Sequence, residues 1–163
     1  MDEDIIEKAE AYAARRERRL AGRLGFGIHG IVFALEGNVH PGVSALKVHR
    51  SDEPYVRERD IYRRLAENGV TAVCGFRVPC LIDCDDALPA LEMTMVKPPF
   101  VLDFAGAWLD WPPTFSDEVW GERAAKWAGE FGEDWPMAQA VLAELEEHRI
   151  YMLDPSPSNI RFR

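Results

Sequence analysis

Residues 24–26, 31–35 and 43–48 form three short apolar runs, each too brief for a stable isolated helix. Between them stand residues 27–30, Gly37-Asn38 and Pro41-Gly42, types that reverse the backbone at low steric cost. This punctuation predicts an antiparallel meander. Residues 78–82 and 91–96 read as two more strands, giving five in all. Between these two groups, Ser51, Asp52 or Glu53 ahead of Pro54 opens a helix that Asn68-Gly69 closes.

The flanks are helical. Residues 2–21 carry an apolar stripe of Ile5, Ile6, Ala9, Tyr12, Ala13 and Leu20, and residues 116–131 and 136–149 suit two further helices. Residues 98–115, rich in Pro and aromatics, read as a hinge or linker. The chain closes with an apolar run, a proline-stiffened loop and a four-residue alternating strand. The expectation is one domain of 163 residues, divided into an N-terminal helix (1–21), a sheet unit (22–97), a linker (98–115) and a small helical unit (116–163).

A net charge of −9 argues against a broad grip on nucleic acid or anionic lipid, which would repel most of this surface. No apolar run approaches the ~20 residues of a membrane span, and the acidic start lacks signal-peptide character, so the expectation is a cytoplasmic protein with no membrane partner. The arginines cluster at 15, 16, 18 and 19 and again at 57, 59, 63 and 64, among glutamates at helical spacing, which reads as solvated helix faces. Cys74, Cys80 and Cys84 form no metal-binding pattern and read as buried thiols.

Three constellations carry chemistry. Gly25, Gly27 and Gly30 followed by Val32 join strand to strand, so the helix terminus of a dinucleotide fold is absent; what remains is a hairpin whose amides can approach an anion, or an ordinary glycine-rich hairpin. Strand alternation puts Lys47 on a sheltered face with Val43 and Ala45, and helical periodicity puts Glu58 on a stripe with Ile61, Tyr62 and Leu65. A sheltered charge needs a partner, and Lys47 with Glu58 is the economical pair; the other reading sends both to solvent. Asp154 and Asn159 flank two prolines that stiffen the loop, which suits a base beside a metal ligand, or simply a capped turn.

In combination these elements resemble the protein kinase fold. The glycine hairpin is similar to G-x-G-x-x-G-x-V, Ala45-Leu46-Lys47 to the third-strand lysine motif, residues 58–65 to the C-helix, and residues 150–160 to the catalytic loop, with Asn five residues after Asp and a proline between. The resemblance implies an α+β fold, with a five-stranded antiparallel N-lobe sheet and C-helix over a reduced helical C-lobe. It also implies ATP and Mg²⁺: amides of residues 25–30 over the triphosphate, Val32 and Ala45 among the nucleotide contacts, Met95 at the gatekeeper position, Val96, Lys97, Pro98 and Pro99 along the adenine, Lys47 on the α- and β-phosphates held by Glu58, Asp154 at the acceptor hydroxyl, and Asn159 on the metal. The implied activity is γ-phosphate transfer to a Ser/Thr hydroxyl. Alternatives are an inactive pseudokinase that serves as a binding or scaffold module, and a small-molecule kinase of the aminoglycoside or choline type. The implied partners are a nucleotide and a protein or small-molecule acceptor.

There are departures from the family pattern. Met152 and Leu153 replace His and Arg, Ser156 replaces a lysine, and Pro98 and Pro99 remove two hinge donors. No D-F-G follows Asn159, so the family's principal metal carboxylate is expected to be missing along with the activation loop.

Overall fold

The computed structural model describes residues 2–37 and 42–163. Strands β1 (Arg19–Phe26), β2 (Gly30–Glu36) and β3 (Ser44–His49) form the expected meander, followed by α2 (Asp52–Glu67), after an N-terminal α1 (Asp2–Arg15). Asn38 and Pro41, part of the turn expected between β2 and β3, lie outside the described residues. Two tiny strands, β4 (Ala72–Val73) and β5 (Phe76–Arg77), precede β6 (Leu81–Asp85) and β7 (Ala90–Thr94). The main sheet is antiparallel with five strands in the order β1-β2-β3-β7-β6.

Helices cover both faces of this sheet, which is why every residue of β3 is buried. Period-two alternation sorts the side chains between two cores. Ile31, Phe33, Leu35, Leu46, Val48 and Ala90 face Ile5, Ala9, Tyr12 and Ala13 of α1. Ala45, Leu91 and Met93 face the other way, into the core that holds Tyr55, Ile61, Tyr62 and Leu65 of α2. Lys47 is in register with Val32 and Leu91 and is buried on that second side.

The N-terminal helix is shorter than expected. It ends at Arg15, and Leu20 belongs to β1, opposite Leu35. Arg18 explains the break: its guanidinium is buried, donating to Glu92 at 2.8 Å, Ser44 at 3.0 Å and the Leu35 carbonyl at 3.2 Å. A buried ion pair at the sheet, with both terminal guanidinium nitrogens bonded and Nε left without a partner among the described residues, overrides helix propensity here. The first arginine cluster is therefore not simply a solvated helix face. The cysteines also depart from expectation: all three are free thiols, but Cys74 is exposed and Cys80 and Cys84 are only half-buried.

Residues 98–115, expected as a linker, are built into the fold. They carry β8 (Phe100–Val101) and β9 (Trp108–Leu109) and bury Val101, Phe104, Ala105 and Ala107. Helices α3 (Asp117–Phe131) and α4 (Trp135–Glu147) follow, with Ser116 capping α3 through the Val119 amide. The chain then returns as β10 (Ile150–Tyr151), which pairs with β9, and β11 (Ile160–Arg161), which pairs with β8. A second sheet runs β11-β8-β5-β4. Among the described residues no helix is long and apolar enough to cross a membrane.

Candidate functional site

A cavity of about 490 Å³ lies beneath the β1–β2 hairpin, bounded by β3, α2, β7, β8 and the loop before β11. Its location follows from one glycine. A Cβ on Gly30 would stand 2.2 Å from the Val48 carbonyl oxygen, so the hairpin can lie this close to β3 only because that position has no side chain. Gly25 and Gly27 have open space where a Cβ would point.

One end of the cavity is apolar, walled by Leu24, Val32, Ala45, Met93, Val96 and Leu102. The other end is charged. Lys47 Nζ lies 2.7 Å from Glu58 Oε2 and donates to Asp103 Oδ1 at 2.8 Å. Glu58 also bonds His49 Nε2 at 2.7 Å and accepts the Phe104 amide at 3.1 Å, so this buried carboxylate is matched on both oxygens. Burial alone raises the Glu58 pKa, but the Lys47 charge and the His49 bond prevail and hold it at about 2. Burial likewise disfavours the Lys47 ammonium, yet Glu58 and Asp103 lift its pKa above the ordinary lysine value. The cavity therefore presents a fixed positive charge between two carboxylates.

At the same end, the Tyr62 hydroxyl is buried beside the Asp103 backbone and makes no well-formed hydrogen bond among the described residues. Burial, with the charges of Glu58 and Asp103, pushes its pKa well above the ordinary phenol value, so it stays protonated. A buried donor without a partner costs roughly 1–3 kcal/mol, which a polar occupant or a water would recover.

Of the residues singled out in the sequence, Gly25, Gly27, Gly30, Val32, Ala45, Lys47, Glu58, Met95, Val96 and Asn159 all line this cavity, and Lys97 does not. Asp154 is also absent from its walls. It lines a smaller depression of about 120 Å³ that shares His29, Asp103 and Asn159 with the main cavity. Asn159 holds the loop: its Oδ1 accepts the Ser156 amide at 2.7 Å and its Nδ2 donates to the Asp154 carbonyl at 3.1 Å. The capped-turn role is thus present in the geometry, and Oδ1 keeps a second lone pair. No family model matches the chain, and no curated protein matches it.

Asp103 was missed by the sequence reading. The kinase pattern places its metal carboxylate after Asn159 and the sequence leads one to expect none here, yet a carboxylate reaches the cavity from an earlier point in the chain. β8 delivers it: the Leu102 amide bonds the Asn159 carbonyl at 2.9 Å, bringing Asp103 beside the Asp154–Asn159 loop. Its backbone is in the left-handed region at φ 65°, which Asp tolerates better than most residues. The available signal was Asp103-Phe104-Ala105-Gly106, a D-F-G with one residue inserted, standing before rather than after the Asp154 loop.

Proposed function

We propose that the protein is a minimal protein-kinase-like protein that binds a nucleoside triphosphate in the central cavity and transfers its terminal phosphoryl group to a hydroxyl held near Asp154. The observation that carries this reading is the Lys47–Glu58 pair at the charged end of an apolar cavity under a glycine hairpin. A flat base suits the apolar walls, the polyphosphate suits the Lys47 ammonium, and about 490 Å³ falls within the usual range for small-molecule sites. Met95 and Val96 border the apolar end where the base would lie, and Pro98 and Pro99 offer it no amide donor.

The residues also suit Mg²⁺. Among the described residues no three His, Cys, Asp or Glu side chains converge to hold a metal unaided. Mg²⁺ characteristically takes one or two protein oxygens and completes its shell with phosphate and water, and Asp103 with Asn159 Oδ1 would supply that share. Held by Asp103 and Asn159, the ion would neutralise phosphate charge. In the transfer itself the acceptor oxygen bonds the γ-phosphorus as the bond from phosphorus to the β,γ-bridging oxygen breaks. ADP leaves, and the hydroxyl proton passes to the Asp154 carboxylate.

Saturating ATP with Mg²⁺ is expected to raise the melting temperature by about 5–10 °C at a hundredfold excess over Kd. Lys47→Met is expected to abolish the shift; no shift with any nucleotide overturns the reading. Asp103→Asn should retain part of the shift but lose its dependence on Mg²⁺. A second reading, a pseudokinase that holds nucleotide without transfer, is favoured by Met152 and Leu153 ahead of Asp154 and by the exclusion of Asp154 from the main cavity. Asp154→Ala separates the two: in the enzyme it abolishes transfer while the thermal shift survives, whereas in the binding module neither protein transfers phosphate.

A further inference from the structure

On its far side Asp154 borders a third, open cleft of about 650 Å³, whose other wall is α3. Val119, Glu122, Arg123, Lys126 and Trp127 line it, residues that helical periodicity brings to one face. Arg123 is held in place: one guanidinium nitrogen donates to the Leu153 carbonyl at 2.9 Å, next to Asp154, and the group lies 4.7 Å over the Phe115 ring. Yet among the described residues it pairs with no carboxylate, in a chain with 28 acidic and 19 basic residues. The arginines of α2 behave differently; Arg57, Arg59, Arg63 and Arg64 are each matched to an acid. Lys126, one helical turn on, makes only a long pair of 3.8 Å with Glu130 and is largely exposed.

We infer that this cleft is the acceptor site, and that it takes a hydroxyl compound bearing a carboxylate or phosphate, held by Arg123 and Lys126 while its hydroxyl reaches Asp154. The assignment as acceptor site rests on the phosphotransfer reading; the selectivity for an anionic group rests on the cleft alone. A guanidinium fixed through one nitrogen still offers donors suited to an oxyanion. A cationic acceptor would have to approach that unpaired guanidinium. Glu122 and Asp154 set two negative charges against Arg123 and Lys126, so the preference for an anionic group comes from the held, carboxylate-free guanidinium of Arg123 rather than from net charge, and a compound with a second, cationic group is also admitted.

The test uses the intact protein and fluorescence polarisation of two labelled peptides, serine flanked by aspartates and serine flanked by lysines, with glycerol 3-phosphate as a small-molecule competitor. The acidic peptide is expected to bind and the basic one to bind at least tenfold more weakly. Arg123→Ala and, separately, Lys126→Glu should each weaken the acidic peptide by on the order of tenfold. Because Lys126 is exposed, its variant tests the site even if Arg123→Ala fails to fold. Competition by glycerol 3-phosphate with only weak peptide binding assigns the site to small anionic acceptors. Preference for the basic peptide, no binding of either peptide or competitor, or affinities unchanged in Lys126→Glu overturns the inference. ATP thermal shifts on the same samples keep the two readings apart: a lost ATP shift with acidic-peptide binding intact removes the nucleotide site and leaves the anion cleft standing.

Discussion

Glu58 is the residue on which the polar end of the cavity depends. It neutralises Lys47, fixes His49 and accepts the amide that follows Asp103, so one carboxylate ties β3, α2 and the segment after β8 together. Glu58→Ala removes an acceptor from three donors at once. Breaking a buried pair costs about 3–5 kcal/mol, and because Asp103 remains beside Lys47 the expected loss is about 3 kcal/mol in urea unfolding. The same carboxylate sets an acid limit. Its pKa is about 2 in the folded protein against an ordinary value of 4.5, so between those values the unfolded chain binds the proton more readily. Its contribution is complete above pH 4.5 and is lost as pH falls toward 2. Urea midpoints measured from pH 7 down to 2.5 should therefore fall more steeply for the native protein than for Glu58→Gln; parallel profiles would refute the assignment.

At the level of elements, the β1–β2 hairpin and β3 are held at their spacing by Gly30. Gly30→Ala sets a methyl against backbone rather than a movable side chain, so β3 must shift, and Lys47 with it. The expected cost is about 3 kcal/mol, the upper end for overpacking, with the ATP thermal shift reduced as well. Gly25→Ala and Gly27→Ala meet open space and should cost under about 1 kcal/mol, altering ligand binding alone. Thermal melts of the three variants, with and without nucleotide, check this order. The glycine spacing revealed the hairpin, but not which glycine packs, because the contact with Val48 comes from another strand. Lys47 and Glu58 were readable for the opposite reason: each sits on a long regular element whose period fixes its face. Asp103 follows a two-residue strand that has no period and pairs with residues near 160, so no periodicity marked it and its one local trace was the interrupted D-F-G of residues 103–106.

Across the whole molecule, one core joins the main sheet to the helical part. Ala45, Leu91 and Met93 belong to the same buried cluster as Val101, Phe104, Val141, Leu145, Ile150 and Ile160. The cavity has the same composite walls, with Lys47 from the sheet and Asn159 from the last loop. Parts that share a core and a ligand site are expected to unfold together. The five tryptophans provide the test, since all lie within residues 108–135 and their fluorescence reports the second half of the chain, whereas far-UV circular dichroism reports all of it. The two urea transitions should coincide. Leu145→Ala, at a fully buried position in α4, should lower both midpoints together by an amount equivalent to about 2–5 kcal/mol. ATP with Mg²⁺ should raise both together, because the nucleotide would be gripped from both sides. A fluorescence transition that moves with Leu145→Ala while the dichroism of the sheet stays put would mean that the shared core does not couple the two halves, and the cavity could then open without either half unfolding.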